Sequence, residues 1–344
     1  MFHVERLHQW LKGDDIFPIY VEISPSGACN HRCVFCAFEY LNYSPRFIDT
    51  KSLFKALREM SECGVKSINY SGEGEPFMHK DMVDIILYTK KLGIDAAAAI
   101  NGVLFTKEKA ERCLSSLTWV KISINAGKKE TYAKIHGCSE HDFNKVLKNF
   151  ADMVKIRKSN NYNTTIGAQM LLLPENQDET VMLAKTLKNI GIDYLVVKPF
   201  IKHPMSAHRI DSQFRYKDLL SLEDELKPLN SGSFKVIFRA HAMEKIESQE
   251  RPYKKCLGLP FFTEIISNGD VYSCGPYLGN KKYCYGNIYE NTFKEIWLGE
   301  KRKNILRLIS TKLDVRKCMK NCRLDEINRY LWELKNPPSH VNYI

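Results

Sequence analysis

The stretch IYVEISPSGACNHRCVFCAF, residues 19–38, joins a short β-rich run to three closely spaced cysteines. The run IYVEI predicts a first strand, because β-branched and aromatic residues favour extended structure. Cys29, Cys33 and Cys36 follow it with the spacing C-x3-C-x2-C. If the strand belongs to a parallel sheet, this loop lies at its carboxyl end, where ligands bind in such sheets.

Similar β-rich runs alternate with helical stretches over the first two hundred residues. The predicted strands cover residues 19–23, 66–71, 94–100, 119–125, 164–173 and 193–200. The predicted helices cover residues 50–63, 80–92, 106–115, 141–158 and 177–190, and Gly64, Gly93 and Gly191 stand where a left-handed residue ends a helix. This rhythm predicts an α/β fold in which six parallel strands form a partial (βα)6 TIM-like barrel.

The rhythm breaks near residue 200. Residues 261–274, FFTEIISNGDVYSC, predict a β-hairpin around the turn Asn268–Gly269. Helical segments follow near 291–310 and 323–335, so a small α+β domain is expected after the barrel. The predicted domain bounds are an N-terminal extension (1–18), the barrel (19–200), a connecting region over its mouth (201–255), the small domain (256–335) and a tail (336–344).

Composition limits the class of protein. The chain has 344 residues, of which 44% are hydrophobic, and no apolar run approaches the ~18 residues that span a membrane. We therefore predict a cytoplasmic protein without a membrane partner. The eleven cysteines are odd in number and clustered, which indicates metal binding rather than a disulfide scaffold.

The formal net charge of +11 has two interpretations. It can reflect a solvated lysine-rich surface, or it can favour an anionic substrate or an acidic electron donor. No dense Lys/Arg block with interleaved aromatic residues is present, so nucleic acid is not the expected partner.

Three thiols on one short loop suit iron–sulfur chemistry better than zinc. Structural zinc sites usually have four protein ligands, and no fourth ligand stands near this group. Three thiolates can hold three corners of a [4Fe–4S] cube and leave one iron for another ligand.

With Phe35 directly before Cys36, this motif resembles that of the radical S-adenosylmethionine superfamily. The resemblance implies that Cys29, Cys33 and Cys36 ligate a [4Fe–4S] cluster that binds S-adenosylmethionine. It also implies reductive cleavage of that cofactor to a 5′-deoxyadenosyl radical, which abstracts hydrogen from a substrate.

Other segments extend the resemblance. SGEGEP (71–76) looks like the family loop whose backbone contacts the methionine amino group, and INAGKKETYAKIHG (124–137) resembles a segment that contacts the ribose and carboxylate. Asn125 replaces the frequent Asp of that segment. The cofactor-binding residues that the resemblance implies are Phe35, Gly72, Gly74, Glu75, Ser123, Asn125, Gln169 and Lys198.

A second cysteine group lies in the small domain. Cys256 and Cys274 form the pattern C-x12-G-x4-C, and Cys318 and Cys322 follow as C-x3-C. Four thiolates fit zinc by number. The pattern resembles the twitch or SPASM extension of radical S-adenosylmethionine enzymes, as does YGNIYENTFKEIW (285–297). This resemblance implies one auxiliary [4Fe–4S] cluster held by these four cysteines, with Cys284 outside the ligand set.

The expected substrate is a small sugar-like molecule. The subgroup resembles 2-deoxy-scyllo-inosamine dehydrogenase-like and related sugar-modifying enzymes, and residues 1–18 are too few for a peptide-recognition domain. The working hypothesis is hydrogen abstraction from a phosphorylated or nucleotide-linked sugar that is oxidised, epimerised or dehydrated. Cys138 and Cys284 are candidate hydrogen donors, and an acidic flavodoxin or ferredoxin is the expected reductant.

A basic loop at the barrel mouth could hold an anionic group of such a substrate. It includes Lys198, Lys202, His203, His208 and Arg209. Three rival functions stay open: a peptide-modifying maturase, an RNA-modifying enzyme and a non-enzymatic iron–sulfur protein.

Overall fold

A computed structural model describes residues 2–207, 214–247 and 251–343. Its strands all belong to one sheet. They are β1 Tyr20–Ile23, β2 Ser67–Tyr70, β3 Asp95–Ile100, β4 Leu117–Ser123, β5 Thr165–Leu172, β6 Tyr194–Pro199, β7 Lys235–Phe238, β8 Phe262–Ile265, β9 Asp270–Tyr272 and β10 Cys284–Asn287.

The sheet has the strand order β10-β9-β8-β1-β2-β3-β4-β5-β6-β7. Strands β1 to β7 pair in parallel in chain order, which confirms the six predicted parallel strands. A seventh strand, β7, lies within the region 201–255 that was expected to be a connection. It forms the sheet edge, and none of its residues is fully buried.

The described residues form twelve α-helices, and those between β1 and β7 in the chain connect the parallel strands. They are α1 Val4–Lys12, α2 Thr50–Glu62, α3 Met82–Lys91, α4 Lys107–Cys113, α5 Lys129–His136, α6 Glu140–Ser159, α7 Thr180–Ile190, α8 Leu222–Leu226, α9 Ala240–Glu247, α10 Phe293–Leu298, α11 Glu300–Lys312 and α12 Asp325–Lys335. Gly64, Gly93 and Gly191 have φ values of 78°, 76° and 90°, as their predicted role after α2, α3 and α7 requires.

The two faces of the parallel strands differ in chemistry. Successive side chains of a strand point to opposite faces. One face is fully buried against the helices, as at Val21, Ile68 and Ile122. The alternate positions, such as Glu22 and Lys121, are polar and face the barrel interior. The fold therefore lines the interior with groups that can bind a polar ligand.

The C-terminal domain extends the same sheet. The predicted hairpin is confirmed: β8 and β9 are antiparallel, and Gly269 in the turn has φ 82°. Strand β8 also pairs in parallel with β1, so the hairpin is hydrogen-bonded to the strand that leads to the first cysteine group.

Helix α10 packs against β10 and α2. Thr292 and Glu295 form a capping box at its start, and the buried Trp297 indole donates a 2.6 Å hydrogen bond to the carbonyl of Ile16. None of the helices in the described part of the chain is long and apolar enough to cross a bilayer.

Candidate active site

The loop that carries Cys29, Cys33 and Cys36 is fixed by backbone hydrogen bonds. The N–H groups of Arg32 and Val34 donate to the carbonyls of His136 and Ile135, each at 2.9 Å. These carbonyls belong to the last turn of α5, where intrahelical partners are lacking. The cysteine loop therefore docks on the C-terminal end of α5 at the carboxyl edge of the sheet.

The three thiols of this loop lie close enough to influence one another. Burial raises the pKa of Cys29 to about 11 and the pKa of Cys33 well above its usual value, and neighbouring thiols raise both further. All three cysteines are free of disulfides. Such a site disfavours bare thiolates but suits thiolates bound to iron, so this donor set fits a cluster held by three cysteines.

Two glycines of SGEGEP allow that loop to approach the cysteine loop. Gly72 has φ 114°, and a Cβ there would lie 1.6 Å from Ser24 Oγ. A Cβ on Gly74 would lie 2.4 Å from the carbonyl oxygens of Ser26 and Ala28. These contacts place the backbone expected to bind the methionine group directly beside the cysteines.

Glu75 joins the ends of two strands. It is only 3% exposed, and its carboxylate accepts hydrogen bonds from the backbone N–H groups of Asn101 (2.7 Å) and Phe77 (3.2 Å). Burial raises its pKa to about 7. The Asn101 side chain in turn donates to Asn30 Oδ1 at 2.7 Å. The Glu75 backbone is engaged as well, because its N–H donates to the Ala28 carbonyl at 2.8 Å, so Glu75 ties its loop to the residue before Cys29 and its predicted cofactor contact stays a prediction.

Ser123, at the carboxyl end of β4, pairs with Gln169 within β5. Both are partly exposed, and neither side chain forms a hydrogen bond with another described residue. Lys198 lies on β6, opposite Leu171 of β5. The structure therefore brings three of the predicted cofactor-binding residues to the same end of the barrel with free polar groups.

Asn125 differs from those three residues. It is fully buried, and its Oδ1 accepts a 2.6 Å hydrogen bond from the Leu171 N–H. Its Nδ2 lies 3.2 Å from Nε2 of His136. Both polar ends of the side chain are used within the protein, and the predicted ribose contact at this position stays a prediction.

His136 lies directly behind the first cysteine group and was missed by the sequence analysis. Its Nδ1 is 3.5 Å from Cys33 Sγ. Tyr132 stacks on the ring at 4.1 Å, and Phe35 meets it edge-on at 5.5 Å. Its only sequence signal was its place in KIHG at the end of a segment already assigned to the cofactor site.

Cys138 lies on the α5–α6 side of the cysteine loop. Its Sγ donates to the carbonyl of Ser139 at 3.6 Å, and it groups with His31 and Asp142. His31 is buried, and its Nε2 lies 3.3 Å from Asp142 Oδ2. Cys138 is therefore near the first cysteine group but is not carried by a barrel strand.

The second cysteine group comes together from three chain segments. Burial raises the pKa of Cys322 to about 12, and the nearby Cys256 and Cys318 raise it further. Cys274 is affected in the same way by Cys256 and Cys322. The four thiols thus form one buried set whose donor chemistry fits a closed, all-cysteine cluster.

Cys284 lies apart from these four. It is 2% exposed, and its Sγ donates to the Gly286 carbonyl at 3.4 Å. It packs in an apolar cluster with Ile266, Tyr272 and Leu278. This position agrees with the expectation that Cys284 is not a ligand.

A cavity of about 590 Å³ is lined by residues that follow the first cysteine loop and by residues around Cys318. Tyr40 and Leu41, a few residues after Cys36, line it together with Cys318. Its volume is within the usual range for small-molecule sites. A ligand there would contact Cys318 of the second cysteine group.

Glu22 is the centre of a polar network inside the barrel. Its carboxylate accepts hydrogen bonds from Asn69 Nδ2 (2.8 Å), Ser71 Oγ (3.0 Å) and Tyr20 OH (3.0 Å). It also forms a 2.6 Å ion pair with Arg323, the residue after Cys322. This ion pair links the strand that leads to the first cysteine group with the loop that carries the second.

Four basic residues surround this network. Burial lowers the pKa of Lys198 to about 7 and that of Lys121 to about 8, and the charges of Arg239 and Arg323 lower both further. Neither ammonium group has a hydrogen bond or ion pair among the described residues, although Lys121 lies over the Trp119 ring at 5.4 Å. The interior thus gathers four basic side chains near the Glu22 carboxylate, which is paired with Arg323.

The basic loop expected at the barrel mouth is only partly described. His203 is 2% exposed and stacks on Tyr40 at 5.0 Å, so it is a packing residue and not the expected exposed anion-binding group. Lys202 is exposed. His208 and Arg209 lie outside the described residues.

Two family models match the chain. The radical SAM superfamily model matches residues 23–187, and the SPASM iron–sulfur cluster-binding domain model matches residues 256–324. Each matched segment contains one of the two cysteine groups.

Curated relatives are similar over different lengths. The GTP 3′,8-cyclase of Clostridium acetobutylicum is 31% identical over 133 residues, which cover 38% of this chain and 40% of the relative. A probable GTP 3′,8-cyclase of Saccharolobus solfataricus is 21% identical over 61% of this chain and 65% of the relative. The chain therefore spans less than two thirds of the length of these cyclases.

A third relative matches over a longer range. The tungsten-containing aldehyde ferredoxin oxidoreductase cofactor-modifying protein of Pyrococcus furiosus is 21% identical over 82% of this chain and 81% of the relative.

Solved structures support the fold. Streptococcus suis SuiB bound to S-adenosylmethionine matches with a TM-score of 0.68 at 19% identity, over 88% of this chain and 71% of that one. Native anSMEcpe with bound AdoMet matches with a TM-score of 0.58 at 19% identity, over 91% of this chain and 88% of that one. These likenesses confirm the predicted barrel with its small C-terminal domain.

Proposed function

The chain belongs to the radical SAM superfamily and carries a SPASM-type domain, and on this premise we propose that it abstracts hydrogen from a sugar-like substrate bearing phosphate or a nucleotide. Its cofactors are a [4Fe–4S] cluster with S-adenosylmethionine and an auxiliary iron–sulfur cluster. When bound, they would supply a 5′-deoxyadenosyl radical and an acceptor for one electron. We assign Cys29, Cys33 and Cys36 to the first cluster, and Cys256, Cys274, Cys318 and Cys322 to the second.

The polar barrel interior between the two cysteine groups is the observation that carries this proposal. Glu22, Asn69 and Ser71 form a hydrogen-bonding surface of the kind that binds sugar hydroxyls. Lys121 and Lys198 present ammonium groups without partners among the described residues, and such groups attract phosphate.

Oxidation is the favoured outcome. None of the strands β1 to β7, as the structure describes them, contains a cysteine, so none of them places a thiol hydrogen donor in the barrel. The substrate would lose a hydrogen atom to the adenosyl carbon, an electron to the auxiliary cluster and its hydroxyl proton to a base. Together these losses convert a carbinol to a ketone.

Epimerisation would instead need a hydrogen donor, and Cys138 and Cys284 are the candidates. Replacing the donor by Ala would abolish turnover without loss of iron, whereas unchanged turnover in both variants would reject this route. The net charge of +11 also suits an acidic flavodoxin or ferredoxin as the reductant.

A purine nucleotide is the second candidate substrate. The 31% identity to a GTP 3′,8-cyclase over 133 residues favours it, and the same interior cations would bind its phosphates. One similar structure is SuiB bound to the precursor peptide SuiA. A peptide is therefore the third substrate class to be tested.

Isotope transfer distinguishes these substrates. The reconstituted protein would be incubated anaerobically with S-adenosylmethionine, a reductant and substrates deuterated at candidate carbons. Deuterium in 5′-deoxyadenosine from a sugar phosphate or nucleotide sugar supports the proposal. Deuterium transfer only from a free nucleotide or a peptide would overturn it in favour of that class.

A further inference from the structure

His136 connects the barrel to the first cysteine group. Its ring lies between Asn125, just after β4, and Cys33, with Nε2 towards the former and Nδ1 towards the latter. The residue is 1% exposed, and its own backbone carbonyl accepts from the Arg32 N–H in the cysteine loop. Both its ring and its backbone therefore contact this loop or its neighbours.

The hydrogen-bond network fixes the ring tautomer. The backbone N–H of Asn125 lies 3.3 Å from Nε2, and a backbone N–H can only donate. Nε2 must therefore be an acceptor. A neutral imidazole with an acceptor at Nε2 carries its proton on Nδ1, so the tautomer is assigned from unambiguous partners.

The side chain of Asn125 independently supports this assignment. Its Oδ1 accepts from the Leu171 backbone N–H at 2.6 Å, which fixes the orientation of the amide. The Asn125 NH₂ group consequently faces Nε2 at 3.2 Å and adds a second donor there. The proton on Nδ1 then lies towards Cys33 Sγ, 3.5 Å away.

Aromatic neighbours hold the ring in this orientation. Tyr132 stacks on one face with an interplanar angle of 21°, and Phe35 contacts the ring at 89°. His31, the other nearby imidazole, points its Nε2 to Asp142. His136 is thus the histidine oriented to donate to the cysteine loop.

We propose that His136 donates an N–H···S hydrogen bond to the Cys33 thiolate of the radical-generating cluster and thereby raises its reduction potential. Hydrogen bonds to the sulfur ligands stabilise negative charge, which is greater on the reduced cluster. Asn125 acts as the positioning residue, because it holds the tautomer that makes this donation available.

The reduction potential of the first cluster tests this proposal. It would be measured by an EPR-monitored redox titration, using the signal that changes when S-adenosylmethionine is added. His136→Phe keeps an aromatic ring but removes the donor. We expect about a tenfold lower reduced-to-oxidised ratio at a fixed potential, a downward shift of about 59 mV for a one-electron couple.

Tyr132→Phe is the matched control. It alters the stacking partner but removes only a hydroxyl that has no hydrogen-bond partner among the described residues. Its potential should equal that of the unmodified protein. An unchanged potential in His136→Phe with full iron content, or an equal shift in Tyr132→Phe, would overturn the proposal.

A second measurement uses the unmodified protein, so it does not depend on whether His136→Phe folds. Electron–nuclear double resonance of the reduced first cluster should detect a coupled proton that exchanges in D₂O, with coupling to nitrogen in protein labelled with ¹⁵N-histidine. Absence of both couplings would reject the hydrogen bond. Asn125→Leu removes only the side-chain donor to Nε2 and keeps the backbone N–H, so both couplings should persist in that variant.

Discussion

The two cysteine groups reach similar chemistry by opposite routes. Cys29, Cys33 and Cys36 share one short loop, whereas the second group joins Cys256 and Cys274 to a pair more than forty residues further along the chain. The first supplies three thiols and can leave an iron open for a cofactor. The second supplies four and can close its cluster. Cysteines on one loop thus suit the site that must bind a cofactor, and cysteines from distant segments suit the cluster with four protein ligands.

The frameworks of the two groups differ as well. Backbone hydrogen bonds to the end of α5 fix the first loop. Side chains fix the second: Arg251 donates to the carbonyls of Val315, Cys318 and Met319 at 2.6, 3.0 and 2.9 Å. We therefore expect the second group to depend more strongly on its cluster for order, because metal binding contributes directly to the folding of such sites.

The largest expected effect comes from removing a cysteine of the first group. Cys33→Ala should remove about four irons, the content of one cube, and abolish formation of 5′-deoxyadenosine. Iron analysis and chromatography would measure both, with Cys63→Ala as the control. Substantial 5′-deoxyadenosine from Cys33→Ala would contradict the assignment of the first group.

The reciprocal change is Cys274→Ala. It should also remove about four irons. Cleavage of S-adenosylmethionine without substrate should persist, while product formation stops because the electron acceptor is lost. If this variant forms product at the normal rate, the second group has no role in the reaction.

Gly72→Ala tests the framework of the first group. Its new Cβ would lie 1.6 Å from Ser24 Oγ at a φ of 114°. Backbone strain at such a position costs about 1–3 kcal/mol of unfolding free energy, and the clash adds to it. Gly93→Ala is the matched control, with φ 76° and no described neighbour within 4 Å of the new Cβ.

Chemical denaturation would compare these two variants. Equal losses of stability would show that the contact between the SGEGEP loop and Ser24 is not tight. A larger loss in Gly72→Ala, with fewer irons in the first group only, would support the packing of the two loops.

A smaller effect concerns pH. Because burial lowers the pKa of Lys198 to about 7 and that of Lys121 to about 8, both ammonium charges are present below pH 7 and are lost as the pH rises through 7–8. Sulfate keeps the same charge in this range. For each lysine proton lost, its binding should weaken by up to about tenfold per pH unit above pH 8. Calorimetry would measure it.

The same shifts affect stability with a defined sign. Between pH 7 and about 10 the unfolded chain binds more protons at these lysines than the folded chain, so the free energy of unfolding without ligand should rise with pH. Lys198→Met should lose the part of the pH dependence of sulfate binding that begins near pH 7, and the exposed Lys148→Met should keep all of it. If both variants keep the full pH dependence of sulfate binding, the sulfate does not bind at Lys198.

Local patterns predicted much of this molecule. The six strands, the turn at Asn268–Gly269 and both cysteine groups followed from composition and spacing. The pairing of β8 with β1 could not be predicted, because it joins residues such as Tyr20 and Phe262 that are far apart in the chain. The edge strand β7, which has no fully buried residue, lies in a region that was predicted to be a connection.

The surroundings of the site were harder to predict than its cysteines. Helix α5 is short and mixed in polarity, so the position of His136 behind Cys33 had no clear signal. Asn125 matched a ligand-binding position by its place in the motif, yet its amide is used by Leu171 and His136. Arg323 and Glu22 meet only because the C-terminal domain joins the barrel sheet.

Anaerobic reconstitution with metal analysis tests the two-cluster account most directly. Iron and sulfide would be counted, and 5′-deoxyadenosine measured after addition of reductant and S-adenosylmethionine. We predict about eight irons, four per cube, and cleavage that disappears in a Cys29/Cys33/Cys36 triple Ala variant holding about four. About four irons with one zinc would contradict the auxiliary cluster, and no cleavage under any reductant would contradict the radical site.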